Sequence, residues 1–305
     1  MSVARATVTG ASGLIGRRLL AALKAAGADV TALTRDPSRA GPLLGGARAV
    51  QWDPLAGPAP AQALEGADVV FNLAGETIAQ RWSERARRAI RESRAVGTAN
   101  LVGGIERAGA RPPVLVSSSA IGYYGAHGDE PLDEETPPGT GFLAGVCVEW
   151  EQAARGAERH GVRVTLVRTG VVLDAAGGAL AEMLPPFRLG LGGPIAGGHQ
   201  YISWVHVDDV VGLMLAAAQE ERWAGAVNAT APDPVTNGTF AKRLAARLHR
   251  PALVPVPALA LRARYGEMAS LLTTGARVLP ARALVLGYRF AQPDLDGALA
   301  AALPA

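Results

Sequence analysis

The chain has a single cysteine, Cys147, in 305 residues. No disulfide can close within it, which agrees with a reducing compartment. It also lacks any window near the roughly 18 uninterrupted apolar residues of a membrane span, and its start, "MSVARATVTGASGLIG", has no basic region leading into a continuous apolar stretch. These absences predict a soluble, unexported, cytoplasmic protein with no membrane partner. Charge of one sign is scarce as well: the formal net charge is +3 and the basic residues are spread along the chain, so nucleic acid is not an expected partner. The densest basic run, "RWSERARRAIRESR", carries Glu84 and Glu92 among its arginines and reads as a solvated helix face. There is no internal repeat and no low-complexity linker. The histidines at 127, 160, 199 and 249 show no ligand spacing, so no metal site is expected.

What is present suffices for a large folded unit: 49% of residues are hydrophobic and 19% charged. Over the first 170 residues, short β-branched runs alternate with longer Ala/Leu/Arg segments of helical spacing, which means βαβ units around a parallel sheet. Strands are expected at 4–9, 29–34, 49–52, 68–73, 114–117 and 162–168, and helices at 15–26, 83–108 and 142–160. Beyond about residue 170 the pattern loosens into a Gly-rich region, "LGLGGPIAGGHQ", a strand running into a helix, "ISWVHVDDVVGLMLAAAQ", and a proline-punctuated approach to a helical C-terminus.

The stretch "ATVTGASGLIGRRLL" is a strand, three glycines and a helix. Gly10 makes the tight exit from the strand and Gly13 lets backbone N–H groups approach a pyrophosphate. Gly16 lets helix and strand pack closely while the helix N-terminus faces the anion. In this context the spacing predicts dinucleotide binding, with Ser12, Leu14 and Ile15 beside the cofactor. The second strand ends "ALTRD", with Thr34 where an NAD site usually carries an acid, and Arg35 next, able to pair with a 2′-phosphate. NADP(H) is therefore preferred over NAD(H). Asp36 leaves the other choice open, as a ribose acid if the strand runs longer.

With "FNLAG", "VSSSAIGYYG" and "WVHVDDVV", the glycine loop resembles the extended short-chain dehydrogenase/reductases, the NAD-dependent epimerase/dehydratase superfamily. Four longer stretches, "NLAGETIAQRW", "SAIGYYG", "LPPFRLGLGGPIAGGHQYISWVHVDD" and "APDPVTNGTFAKRLAARLHRPALVPVPA", resemble an atypical subgroup known as the epimerase family protein, whose C-terminal segment is a domain of unknown function. The resemblance implies an α/β fold: a Rossmann-type doubly wound parallel sheet formed by 1–170 plus 202–230, with a smaller C-terminal substrate-side domain formed by 171–201 plus 231–305. It implies that Leu73, Ala74 and Gly75 line the adenosine and ribose, that Asp53 lies near the adenine, that Arg94 faces the cofactor and that Val171 touches the nicotinamide end. It also implies a homodimer through the long helices.

Active members of that superfamily carry Tyr-x-x-x-Lys at the start of the helix that here reads "GFLAGVCVEWE". The tyrosine is the acid/base and the lysine lowers its pKa. Registering Glu151 with the glutamate of that helix puts Leu143 and Cys147 at the two positions; shifting by one gives Phe142 and Val146. Neither register supplies a phenol or an ammonium. Ser119 and Tyr124 are the remaining catalytic candidates, Ser119 either orienting a substrate or capping a turn, Tyr124 either a replacement acid/base or a pocket wall. Cys147 reads as a buried, inert thiol. His206, Asp208 and Asp209 read as a helix start, the aspartates capping N–H groups.

The loop before "VHVDD" is expected to fold over an unknown small-molecule substrate, with His199, Gln200, Tyr201 and Trp204 supplying hydrogen bonds and stacking, and Trp82 and Phe187 making the cleft apolar. The arginine that nucleotide-sugar enzymes often place in this loop for a diphosphate is missing. Two functions stay open: an NADP(H)-dependent oxidoreductase or epimerase-like enzyme with an altered relay, and a non-catalytic NADP(H)-binding sensor or regulatory protein.

Overall fold

A computed structural model describes residues 3–304. Seven parallel strands form the main sheet: β1 Arg5–Thr9, β2 Asp29–Thr34, β3 Arg48–Gln51, β4 Val69–Asn72, β5 Val114–Ala120, β6 Arg163–Thr169 and β7 Gly225–Ala229. Their order is β7-β6-β5-β4-β1-β2-β3. The chain builds outward from β1 to β3, then crosses back to β4 and builds the other way. The reversal between β1 and β4 opens a crevice at the carboxyl ends of those strands, the usual place for a ligand in such sheets. The pairs Thr9 with Leu33 and Thr9 with Asn72 put the exit of β1 at that point.

Both faces of the sheet are covered, as the continuous apolar strands require. On one face lie α1 Leu14–Ala25 and, later in the chain, Val207–Gln219, packing Leu19, Leu20, Leu23, Val210 and Met214 onto Val8, Val30 and Phe71. On the other lie α2 Glu84–Arg107 and α3 Phe142–Arg155, packing Leu101, Ile105 and Ala154 onto Val70, Leu115 and Leu166. Ser83 starts α2 by accepting a hydrogen bond from the Ala86 amide. The long helix expected over 142–160 stops at Arg155 and tightens into a 3-10 turn, Gly156–His160, which closes at Gly161 with φ 76°.

The smaller domain has its own core, in which α4 Gly178–Arg188, α6 Asn237–Arg247 and α8 Leu295–Ala302 pack around Trp204, with α5 (Val207–Gln219) and α7 (Ala258–Tyr265) between them in the chain. Strand β7 returns to the main sheet beside β6. The assignment of 231–305 wholly to the smaller domain is corrected: Ala283 lies in the core under the main sheet, with Leu286, Tyr288 and Phe290 packed against it. Asp209 holds that excursion in place. Fully buried, its carboxylate accepts hydrogen bonds from the Ala291 and Gln292 amides at 2.7 and 3.0 Å. The capping role expected of Asp209 is thus replaced by a tether, and the imidazole of His206 accepts from the Asp208 amide at the start of α5 instead.

Candidate functional site

The crevice is built first from backbone. Gly10 leaves β1 with φ 65°, and a Cβ there would lie 2.6 Å from the Leu73 carbonyl group. A Cβ on Gly16 would overlap the Gly10 carbonyl and Ala11. Both positions therefore need glycine for close approach as well as for turning. Thr9 fixes the neighbouring loop: its hydroxyl donates to Asn72 Oδ1 at 2.9 Å and accepts from the Leu73 and Ala74 amides at 3.0 and 3.1 Å. Asn72 in turn donates to Thr98 and Ser117. The first turn of α1 has Gly13 as its N-cap, no side-chain cap and no acidic residue. Its amides and dipole are left to an anion, so the loop fits a dinucleotide pyrophosphate. Ser12 is exposed beside it, Leu14 and Ile15 half-buried.

Strand β2 ends at Thr34, and Arg35 is exposed just beyond it. Asp36 accepts hydrogen bonds from the Ser38 amide and hydroxyl and from the Arg39 amide. The Ser38 hydroxyl and these amides hold its carboxyl below the usual aspartate value. All three bonds end on Oδ1, and the residue is exposed. Asp53, exposed, accepts from the Leu55 amide. Leu73 and Ala74 are half-buried, and Gly75 lies against the Arg94 guanidinium. Arg94 donates to the Glu76 and Ile90 carbonyls at 2.9 and 3.2 Å and lies 5.2 Å over the Trp150 ring. Val171 joins the end of β6 to the smaller domain by donating to the Ser203 carbonyl.

The relay side of the crevice is built differently. Cys147 is buried, and burial pushes its thiol up to about 12. Glu151, one turn on, forms a bidentate pair with Arg168 of β6 at 2.8 and 2.9 Å, the two side chains 6% and 4% exposed. Burial works against the Arg168 charge, and the Glu151 bonds outweigh it, holding the guanidinium above its ordinary value. Ser119 donates to the same carboxylate at 2.7 Å. Tyr124 donates to Asn228 Oδ1 at 2.7 Å and accepts from Arg168 at 3.0 Å. Tyr123 places its ring 3.5 Å from the guanidinium.

Two catalytic expectations are corrected here. Tyr124 is 0% exposed, and burial pushes its phenol up to about 12, so it is neither a pocket wall nor an accessible acid/base. Ser119 is buried and committed to Glu151. Sequence reasoning missed Glu151 and Arg168 as partners; the signal available was an arginine inside the apolar strand "VTLVRT", which has to find a carboxylate.

The substrate loop divides. Gln200 and Tyr201 are half-buried and His199 is exposed, with the Gln200 amide donating to the Ile195 and Leu272 carbonyls. Trp82 is half-buried, bonded to the Ile78 carbonyl and set edge-on to Phe142. Phe187 and Trp204 are corrected: both lie in the core of the smaller domain, and the Trp204 indole donates to the Asp233 carbonyl. Among the described residues, no group of three or more His, Cys, Asp or Glu side chains is gathered as for a metal ion, and no helix is long and apolar enough to cross a membrane.

Residues 6–229 match the NAD dependent epimerase/dehydratase family. The chain belongs to that family. Residues 256–302 match a separate domain of unknown function. Among relatives of this epimerase/dehydratase chain, the Arabidopsis thaliana epimerase family protein SDR39U1 homolog, described as chloroplastic, is 41% identical, with 97% of this chain and 85% of that protein covered. The Homo sapiens epimerase family protein SDR39U1 is 37% identical, with 97% and 98% covered. The crystal structure of the human SDR39U1 (isoform2) with NADPH superposes with a TM-score of 0.88 at 36% identity, covering 97% of each chain. A nucleoside-diphosphate sugar epimerase from Corynebacterium glutamicum gives 0.77 at 35%, covering 98% of this chain and 58% of that one. A UDP-glucose complex of MoeE5 with NAD, at 22% identity and a TM-score of 0.76, shares the fold.

Proposed function

We propose that this chain is an NADP(H)-binding member of the epimerase/dehydratase family that does not run a Tyr–Lys proton relay and instead senses or presents the cofactor. One observation carries the reading: Ser119, Glu151, Arg168 and Tyr124 are bonded to one another inside the protein, while neither register of the helix, Leu143 with Cys147 or Phe142 with Val146, supplies a phenol and an ammonium. The preference for NADP(H) is supported by Arg35 lying exposed at the end of β2, by Asp36 being engaged as a helix cap, and by the NADPH held in the human relative's structure. Gly10, Gly13 and Gly16 with the α1 amides would hold the pyrophosphate and Arg35 the 2′-phosphate. When bound, the nicotinamide would supply or accept a hydride.

A second reading, an NADP(H)-dependent reductase-like or epimerase-like oxidoreductase, draws on Arg94. Burial lowers its pKa, and its charge is felt by Cys147, so a cation still stands beside the former lysine position. A homodimer through α2 and α3 and a cytoplasmic setting belong to both readings; Val96 and Val148 stand exposed on those helices.

Cofactor-stripped protein titrated with NADPH and with NADH, followed by nicotinamide fluorescence, tests the proposal. NADPH is expected to bind more tightly, and Arg35→Ala to erase the difference, a change of about tenfold or more for a lost charge-assisted contact. No hydride transfer is expected across a broad panel of carbonyl compounds. Turnover of any of them overturns the sensor reading in favour of the second, and failure of both nucleotides to bind overturns both.

A further inference from the structure

Two stretches of the smaller domain, "RLGLGGPI" at 188–195 and "RPALVPVPALALRAR" at 250–264, consist of aliphatic residues, glycine, proline and arginine alone. No Asp or Glu occurs anywhere in 183–207 or in 234–266, although the chain carries 27.

Backbone bonds set the two stretches side by side. The Val254 amide donates to the Gly192 carbonyl at 3.5 Å and the Val256 amide to the Pro194 carbonyl at 2.9 Å, while the Ala196 amide donates to the Val256 carbonyl at 3.0 Å. Arg250 Nε donates to the Arg188 carbonyl at 2.9 Å, and a Cβ on Gly190 would touch the Pro251 ring. The segment that carries Leu189 and Leu191 therefore runs beside the one that carries Leu253 and Val254. These side chains are not folded inward: Leu189 is 74% exposed and Leu253 79%, with Leu191 and Val254 exposed as well.

The second stretch continues into α7, which holds Leu259, 78% exposed, in its first turn and buries none of its eight residues. A helix of two turns draws its stability from packing rather than from its own hydrogen bonds, and this one has packing to gain from outside the chain. Arg188, Arg250, Arg262 and Arg264 are exposed on the same segments. Among the described residues none of the four forms an ion pair, and Glu267, the first acid after α7, is taken by Arg87.

A contiguous apolar surface of this kind marks an interaction site, and its chemistry chooses the partner. A second copy of the chain would set arginine against arginine, because a two-fold interface pairs each patch with itself. A protein partner needs a rim of mixed hydrogen-bonding groups, about one bond per 100–200 Å², and here the polar side chains are guanidinium groups only. Nucleic acid would leave the leucines without a role. Leucines that can enter hydrocarbon, with arginines at the level of phosphate groups, match an anionic bilayer.

We infer that this face of the smaller domain docks the protein on an anionic lipid surface, with Leu189, Leu191, Leu253 and Leu259 entering the headgroup boundary and the four arginines meeting the phosphates. The lack of a spanning helix among the described residues, which led to the expectation of no membrane partner, does not bear on it, since a protein that lies on the surface needs no span. The docking surface goes beyond both readings of the cofactor site and takes no residue from it.

The test is flotation of the full chain with vesicles of phosphatidylcholine alone and of equimolar phosphatidylcholine and phosphatidylglycerol. The protein is expected to float with the mixed vesicles and to bind phosphatidylcholine alone at least about tenfold more weakly, since each arginine near an anionic surface adds about fivefold. Arg262→Gln with Arg264→Gln is expected to weaken binding to the mixed vesicles by about tenfold or more. Leu253→Ser with Leu259→Ser leaves every charge in place and is expected to weaken it by about tenfold or more as well. All four residues are exposed, so both variants are expected to keep the far-ultraviolet dichroism of wild type, and if one does not fold the other still decides. The inference is overturned if wild type floats with neither vesicle or binds phosphatidylcholine as tightly as the mixture. It is overturned too if the leucine variant floats as wild type does, which reduces the attraction to net charge. Sedimentation velocity without vesicles separates the other occupant: self-association of wild type that the leucine variant loses, with no flotation of either, assigns the face to a second copy of the chain and overturns the lipid surface.

Discussion

The two sides of the crevice are made of different material. Beside β1 the site is backbone: Gly10, Gly13 and Gly16, the open first turn of α1, and Thr9 holding the Leu73 and Ala74 amides. Beside α3 the site is side chain: Ser119, Glu151, Arg168 and Tyr124, bonded to one another and closed to solvent. A backbone site admits few substitutions, because a Cβ at Gly10 or Gly16 meets other backbone that cannot move aside. A side-chain site can be rebuilt as structure while the fold around it stays, and here the Glu151–Arg168 pair ties α3 to β6 as a strut. That is why the same superfold can keep its cofactor loop and change its chemistry.

The comparison breaks most visibly at Glu151. Replacing it with Ala leaves Arg168 buried without its carboxylate, expected to cost about 3–5 kcal/mol, read as a fall in the urea midpoint at unchanged slope. The double change Glu151→Leu with Arg168→Met removes both charges and is expected to recover most of that loss. NADPH affinity of the folded variants should stay within about threefold of wild type, since a strut distant from the glycine loop carries stability rather than binding. A parallel collapse of affinity would mean that the two sides form one unit.

Gly10→Ala probes the other side. The position has φ 65° and a Cβ would lie 2.6 Å from the Leu73 carbonyl group. Strain of about 1–3 kcal/mol is expected, with the loop displaced from the position that accepts a pyrophosphate. NADPH affinity should fall by about a hundredfold or more, near 3 kcal/mol, with the far-ultraviolet dichroism of the fold retained. Binding that survives this change would place the cofactor elsewhere.

The same contrast governs what could be read from the residues. The βαβ alternation and the glycine loop are local patterns, and β2 is found where expected, over 29–34. Ser119 and Tyr124 were legible as residues near the crevice and misread as accessible, because their burial depends on Glu151 and Arg168, which come from two other elements. Trp204 and Phe187 were misread for a related reason: an aromatic in a Gly-rich region looks free until Leu244 and Leu299 close over it. Asp36 shows the reverse, a residue whose role depended on where β2 ends, and which resolves into a cap once the strand stops at Thr34.

The smallest change bears most directly on the choice between sensor and enzyme. Tyr124→Phe removes a hydroxyl that accepts from Arg168 and donates to Asn228, leaving both without that partner at a cost of about 1–3 kcal/mol near neutral pH. Its pH dependence is more telling. Burial raises the phenol of folded Tyr124 to about 12, against about 10 when unfolded. A raised pKa means that the stability linked to the neutral phenol is fully present below pH 10 and is lost as pH rises from about 10 to about 12. The gap in unfolding free energy between wild type and Tyr124→Phe should therefore be flat up to about pH 10 and shrink above it. If the gap shrinks already between pH 7 and 9, the phenol ionises as a solvent-accessible acid, and Tyr124 returns as a proton donor for the oxidoreductase reading. If it holds to pH 10, the residue is a member of the strut, and any turnover has to find its proton from outside this network.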